Sequence, residues 1–128
     1  MEKYSSSEEP PAPIVTVKIA NPTTGKSKEN EGKIDTGSFM TAIPETWVSE
    51  LALVPVSELE TRGYKKEEKG EGQKHSTYYV DIALKGYAFP YTEVLAVDRQ
   101  NVLLGRDILN QLKLILDGKS LMFEIIDP

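Results

Sequence analysis

The chain has no cysteine and a single histidine, His75, in 128 residues. Lack of cysteine excludes disulfides, thiol catalysis and cysteine-rich zinc sites together. One imidazole cannot build a multi-histidine metal site, and it is too little to support a Ser–His–Asp triad. Basic residues are also in deficit: 15 Lys and Arg against 20 Asp and Glu give a formal charge of -5. Nucleic-acid binding needs a concentrated basic face, so that balance argues against it. Lysines do cluster at Lys65-Lys66, but Glu67-Glu68 follows at once, and the run reads as a solvated face or loop. No apolar stretch approaches the ~20 residues of a membrane helix. The opening Met1-Glu2-Lys3-Tyr4-Ser5 is polar and shows no secretory signal. The expectation is a soluble, cytoplasmic protein with no metal site, no membrane span and no nucleic-acid partner.

What is present is ordinary for a soluble domain, with 39% hydrophobic and 27% charged residues. The length suits one domain with a core of its own. Residues 1–13, rich in Ser, Glu and Pro, have little to bury and read as a disordered tail, leaving 14–128 as the domain. In Ile14-Val15-Thr16-Val17-Lys18-Ile19 the alternation puts Val15, Val17 and Ile19 on one face of a strand. Turn residues at Asn21-Pro22-Thr23-Thr24-Gly25 send the chain back through an extended run ending at Ile34. Trp47, Val48 and Leu51 share one side of a short helix. Further strands are expected at Tyr78–Leu84 and Tyr91–Val97, with a turn at Lys85-Gly86. The continuous apolar run Val102-Leu103-Leu104 marks a strand buried on both sides. Asp107 is placed to N-cap a helix reaching Leu112. Asp117-Gly118 is expected to turn a final hairpin into Leu121–Ile125. Many short strands separated by turn residues mean an all-β barrel or sandwich with little helix.

Two segments carry the chemistry. The first is Asp35-Thr36-Gly37-Ser38, a carboxylate followed by a hydroxyl residue and a glycine at the end of an extended run. In such a turn backbone N–H groups can point at the acid. Alone, Asp-Thr-Gly is also a good generic turn, in which the acid merely satisfies nearby amides. Ser38 lacks the Gly-x-Ser-x-Gly elbow of a serine nucleophile. The second segment is Val102-Leu103-Leu104-Gly105-Arg106-Asp107, in which Leu103 and Leu104 read as core.

Taken together and in this order, the two segments resemble the retropepsin-like aspartic proteases, single-domain relatives of pepsin, from about Ile14 to Ile125. The resemblance implies an all-β, closed barrel of the retropepsin-like acid protease type with one or two short helices. It also implies peptide hydrolysis without a cofactor. Pepsin-like enzymes carry two copies of the motif on two lobes, and the retroviral type carries one per subunit. With one copy here, Asp35 as the catalytic residue implies a homodimer acting on a polypeptide substrate. By the same resemblance, the Thr36 hydroxyl clamps the two active-site turns together and Gly37 permits their close geometry. Pepsins usually have serine at the position of Ser38, where a hydroxyl favours the ionised carboxylate.

The downstream strand is implied to pass behind the turn, with Leu104 and Gly105 supporting it. Gly105 would let two backbones approach, Arg106 would bond to the active-site loop, and Asp107 would start the last helix. Retroviral enzymes usually place an acidic partner for that arginine just after the turn. Phe39 and Met40 stand there instead, leaving the partner of Arg106 open. The flap of the family would fall at 62–74, with Gly70 and Gly72 as a flexible tip. A phosphate loop is the competing reading of these glycines, but the third glycine is missing and Glu67, Glu68 and Glu71 would repel a phosphate. The strand Leu121–Ile125 is apolar enough for a dimer interface, and a disordered N-terminus favours an interface of C-terminal strands alone. The alternative function is a retropepsin-fold dimerisation or peptide-binding module with little turnover.

Overall fold

A computed structural model describes residues 1–61 and 73–126. Its strands are β1 (Glu2–Lys3), β2 (Ile14–Ala20), β3 (Ser27–Ile34), β4 (Ala42–Pro44), β5 (Ser57–Thr61), β6 (Gln73–Leu84), β7 (Tyr87–Val97), β8 (Val102–Leu104), β9 (Leu114–Asp117) and β10 (Met122–Ile125). Two short helices are described, α1 (Trp47–Glu50) and α2 (Arg106–Leu109). No helix among the described residues is long and apolar enough to cross a membrane.

The strands β2-β3-β8-β4-β7-β6 lie side by side in that order, and pairing of β2 with β6 closes them into a barrel. The alternation read from the sequence fixes the inner face: Val15, Val17 and Ile19 are buried while Thr16 and Lys18 face water. Ile43, Val80, Ile82, Val94, Val102 and Leu104 complete the same core, with Ile108 and Phe123. The neighbours Ala42, Leu95, Val97 and Leu103 point the other way along β4, β7 and β8 and form a second cluster with Met40 and Leu59. This is why Val102–Leu104 is apolar without interruption: both of its faces are covered.

Local chemistry sets the connections. The buried Asn21 side chain accepts the N–H groups of Thr23 and Thr24 and donates to the carbonyls of Leu51 and Ala52. It therefore shapes the β2–β3 turn and fastens it to the segment after α1. Trp47 of α1 and Leu51, its C-cap, are buried as the sequence suggests, and the Lys28 ammonium lies 5.4 Å from the centre of the Trp47 ring. Lys85 and Gly86 both take positive φ, the geometry of a tight two-residue hairpin between β6 and β7.

Three expectations need correction, and one strand was not anticipated. Residues 1–13 are not a loose tail. Their strand β1 pairs with β10, Ser5 bridges to Ala12, Ala12 is buried, and Tyr4 lies against Phe123 with ring centres 6.1 Å apart. Three apolar residues, too widely spaced to show a period, are enough because the partner sheet already exists.

The unanticipated strand, β5, falls in a stretch whose composition, Ser-Glu-Leu-Glu-Thr, gives little strand signal. It pairs with β6, and the Thr77 hydroxyl, which donates to Glu93 at 2.6 Å, lies 2.7 Å from the Ser57 oxygen. Second, Asp107 does not cap α2: Gly105 occupies that position, and the Asp107 carboxylate turns toward Thr41. Third, Asp117-Gly118 is not a two-residue turn. Met122 pairs with Asp117 across a four-residue loop, in which Asp117 accepts the Ser120 N–H and Leu121 takes a φ of 54°. The final strand accordingly starts at Met122. The flap expected at 62–74, with Gly70 and Gly72, falls mainly on 62–72, outside the described residues.

Candidate active site

Asp35 stands at the point where β3 leaves the barrel. Ile34 is still in register with Leu104 of β8, and the Asp35 N–H donates to the Leu104 carbonyl at 3.0 Å. The chain then turns, and the Ser38 N–H returns to the Asp35 carbonyl at 3.1 Å. Within that turn both carboxylate oxygens accept hydrogen bonds. Oδ1 takes the Gly37 N–H at 3.0 Å, and Oδ2 takes the Ser38 hydroxyl at 2.9 Å. Asp35 is half-buried, Ser38 is buried, and Thr36 and Gly37 are exposed. A Cβ at Gly37 would lie 3.3 Å from Asp35 Oδ1 and crowd the carboxylate. The acid is oriented from below and open from above.

The strand behind the turn is β8. β8 runs between β3 and β4, parallel to the first and antiparallel to the second. It thus threads behind both arms of the turn. Gly105 follows, and no side chain fits there, because the Met40 backbone is in the way. The open question about Arg106 is answered: its Nη1 donates to the Thr36 carbonyl at 2.8 Å, and its N–H to the Ser38 carbonyl at 2.8 Å. A guanidinium hydrogen-bonded to a main-chain carbonyl needs no acid after the turn.

Thr41 is the residue that the sequence reading missed. It is fully buried, and every polar atom it has is used. Its N–H donates to both carboxylate oxygens of Asp107, at 3.0 and 3.1 Å, and its hydroxyl donates to Oδ1 at 2.8 Å. The same hydroxyl accepts the Gly105 N–H at 3.1 Å, and the Thr41 carbonyl accepts the Leu95 N–H at 3.0 Å. A signal existed in retrospect: Thr41 is the one hydroxyl in Phe39-Met40-Thr41-Ala42-Ile43, and a polar group inside an apolar run demands partners.

No protein-family model and no curated protein matches the sequence. Solved structures do match its shape. The simian foamy virus (mac) protease shares 18% identity at a TM-score of 0.54, over 76% of this chain and 91% of that one. A protease of EIAV, complexed with an inhibitor, shares 22% at 0.55, over 84% and 91%. A retropepsin-like aspartic protease from Rickettsia conorii shares 19% at 0.52, over 96% and 95%. The fold is retropepsin-like. Proteins of quite different sequence therefore share this fold at the level of overall shape.

Proposed function

We propose that the chain is an aspartic endopeptidase, with its active site on the two-fold axis of a homodimer and one Asp35 from each copy. The observation that carries this reading is the turn itself. Its carboxylate is oriented by two hydrogen bonds, and the turn is tied to the barrel by Leu104 and Arg106. Hydrolysis of an amide needs one group to activate water and one to protonate the leaving nitrogen. Two carboxylates sharing a proton supply both, because close like charges do not readily ionise together. Asp107, a second carboxylate bonded to the segment after the turn, is occupied by Thr41. The second acid then comes from a second copy, through an isologous two-fold contact.

In the proposed reaction the peptide lies extended in the cleft between copies, hydrogen-bonded like an added strand. The unprotonated carboxylate takes a proton from water as the water oxygen attacks the scissile carbonyl. The protonated one supplies a hydrogen bond to that carbonyl, and a proton reaches the departing nitrogen as the tetrahedral species collapses. No covalent intermediate forms. The likeness in fold to three solved proteases supports the reading.

Sedimentation and peptide turnover measured over one dilution series test it. Specific activity should fall with the same midpoint as the dimer. A fully active monomer would refute the shared site, and a dimer that binds peptides without cutting them would favour the module reading.

A further inference from the structure

Two consecutive residues of α2 hold the two arms of the turn by opposite means. Arg106 gives a cationic donor to a carbonyl on the outgoing arm, at Thr36, and Asp107 gives an anionic acceptor to an N–H and a hydroxyl on the returning arm, at Thr41. The first contact is exposed, so water can replace it. The second is more sheltered: Thr41 is fully buried, and the half-buried Asp107 accepts from Thr41 and also from the Ile108 N–H at 2.9 Å. The Thr41 hydroxyl lies between the Gly105 N–H and the Asp107 carboxylate, accepting from one and donating to the other. One oxygen thus joins the strand behind the turn to the helix beside it.

We propose that Thr41, through its hydroxyl and its grip on Asp107, is a positioning residue for Asp35: it fixes where the returning arm of the turn leaves the barrel and so where the carboxylate points. Thr41 is fully buried, so its effect reaches Asp35 through the turn. Its consequence for turnover rests on the protease reading above, while its consequence for the turn does not. Loss of the hydroxyl leaves the buried Gly105 N–H without its acceptor and Asp107 Oδ1 with one donor fewer, and the arm shifts to recover the lost bonds. A misplacement of the reacting groups on the order of 1 Å can cost about a hundredfold in rate.

The test compares full-length Thr41→Val, which keeps the shape and removes the hydroxyl, with Thr41→Ser, which keeps the hydroxyl. Amide hydrogen exchange at Gly37 and Ser38 reports on the turn, and at Val17 and Ile19 on the barrel. In Thr41→Val the turn amides should exchange at least about tenfold faster than in wild type, relative to the barrel amides. In Thr41→Ser the turn should stay within about threefold of wild type. Equal acceleration of turn and barrel, or no acceleration of the turn, overturns the proposal. Asp107→Asn is the second variant, should Thr41→Val fold poorly. It should loosen the same amides, and combining it with Thr41→Ser should add little beyond the Asp107 change. In turnover, kcat should drop about 10–100-fold with KM nearly unchanged, and serine should rescue it. A raised KM with intact kcat contradicts positioning. A wild-type protein that cuts no peptide would defeat the protease reading, and the exchange result would still decide the role of Thr41.

Discussion

A Cβ placed on Gly105 would lie 2.6 Å from the carbonyl carbon of Met40 and 2.9 Å from its nitrogen and oxygen. These are backbone atoms, so no side chain can swing aside to make room. Gly105→Ala should therefore push β8 and the active-site turn apart, with a stability loss at or above the roughly 1–3 kcal/mol usual for overpacking. Urea unfolding gives the number. A variant as stable as wild type would mean that the two segments can separate cheaply, and the rigid support described for Asp35 would be wrong.

Asp35→Asn should keep the fold and lose the chemistry. The amide oxygen can still accept the Gly37 N–H, and the amide nitrogen can donate to the Ser38 oxygen, so the turn remains satisfied. Cleavage should drop below about 1% of wild type, since a general acid–base pair is worth about 10²–10⁴-fold. The dimer should hold as well or better, because two facing carboxylates repel. Circular dichroism, sedimentation and turnover on one sample decide the matter. Retained cleavage would place the catalytic groups elsewhere.

The proposed pair offers a pH readout. Only the singly protonated pair has both a base for water and an acid for the leaving group, so activity should form a bell in pH with two constants belonging to the pair. The Ser38 hydroxyl donates to Asp35 Oδ2 and so helps to orient the carboxylate. Ser38→Ala removes that bond and keeps the acid, so turnover should fall by about tenfold while the bell remains. A profile rising steadily into alkali would instead indicate a different nucleophile.

The N-terminal segment should matter to stability more than its composition suggests. Its ion pairs, Glu2 with Lys85 and the amino terminus with Glu124, are on the surface and contribute little. Tyr4 against Phe123 and the burial of Ala12 contribute more. Removal of residues 1–12 should cost about 2 kcal/mol on the usual scale for apolar burial. It should also uncover the edge of β10 and promote association of unpaired strands. Thermal unfolding and light scattering would reveal both effects, and an unchanged midpoint would mean that the strand pairing is incidental.

Legibility in the sequence followed the range of the interactions. The alternation of Val15, Val17 and Ile19 and the unbroken Val102–Leu104 are local patterns, and both strands formed where those patterns lie. Asp35-Thr36-Gly37-Ser38 was readable because a turn of this kind uses its own N–H and hydroxyl groups. What escaped depends on partners distant in sequence. Glu2 meets Phe123, Thr41 meets Asp107, and Arg106 meets Thr36, and no periodicity within a window of a dozen residues encodes such pairings. Asp107 illustrates the limit: an acid at the start of a helix is a good cap by rule, yet Gly105 takes the cap position and the Asp107 carboxylate accepts two donors from the distant Thr41 beside the Ile108 N–H of its own helix. The strand β5 escaped for another reason, since only Leu59 among its five residues is apolar.

The insertion of β8 between β3 and β4 has a consequence for how the protein comes to life on the ribosome. Asp35 leaves the exit tunnel early, but the strand that seats it is made some 70 residues later, as the separation of Arg106 from Thr36 shows. Contacts this far apart in sequence form slowly and late. Until Val102–Leu104 slots into place, the nascent chain carries its acid on an unsupported loop. Synthesis proceeds from the N-terminus at about 5–20 residues per second, so each molecule spends seconds with the acid already made and the strand behind it still missing. On the proposed reading, a chain interrupted before residue 102 should be harmless to every polypeptide around it.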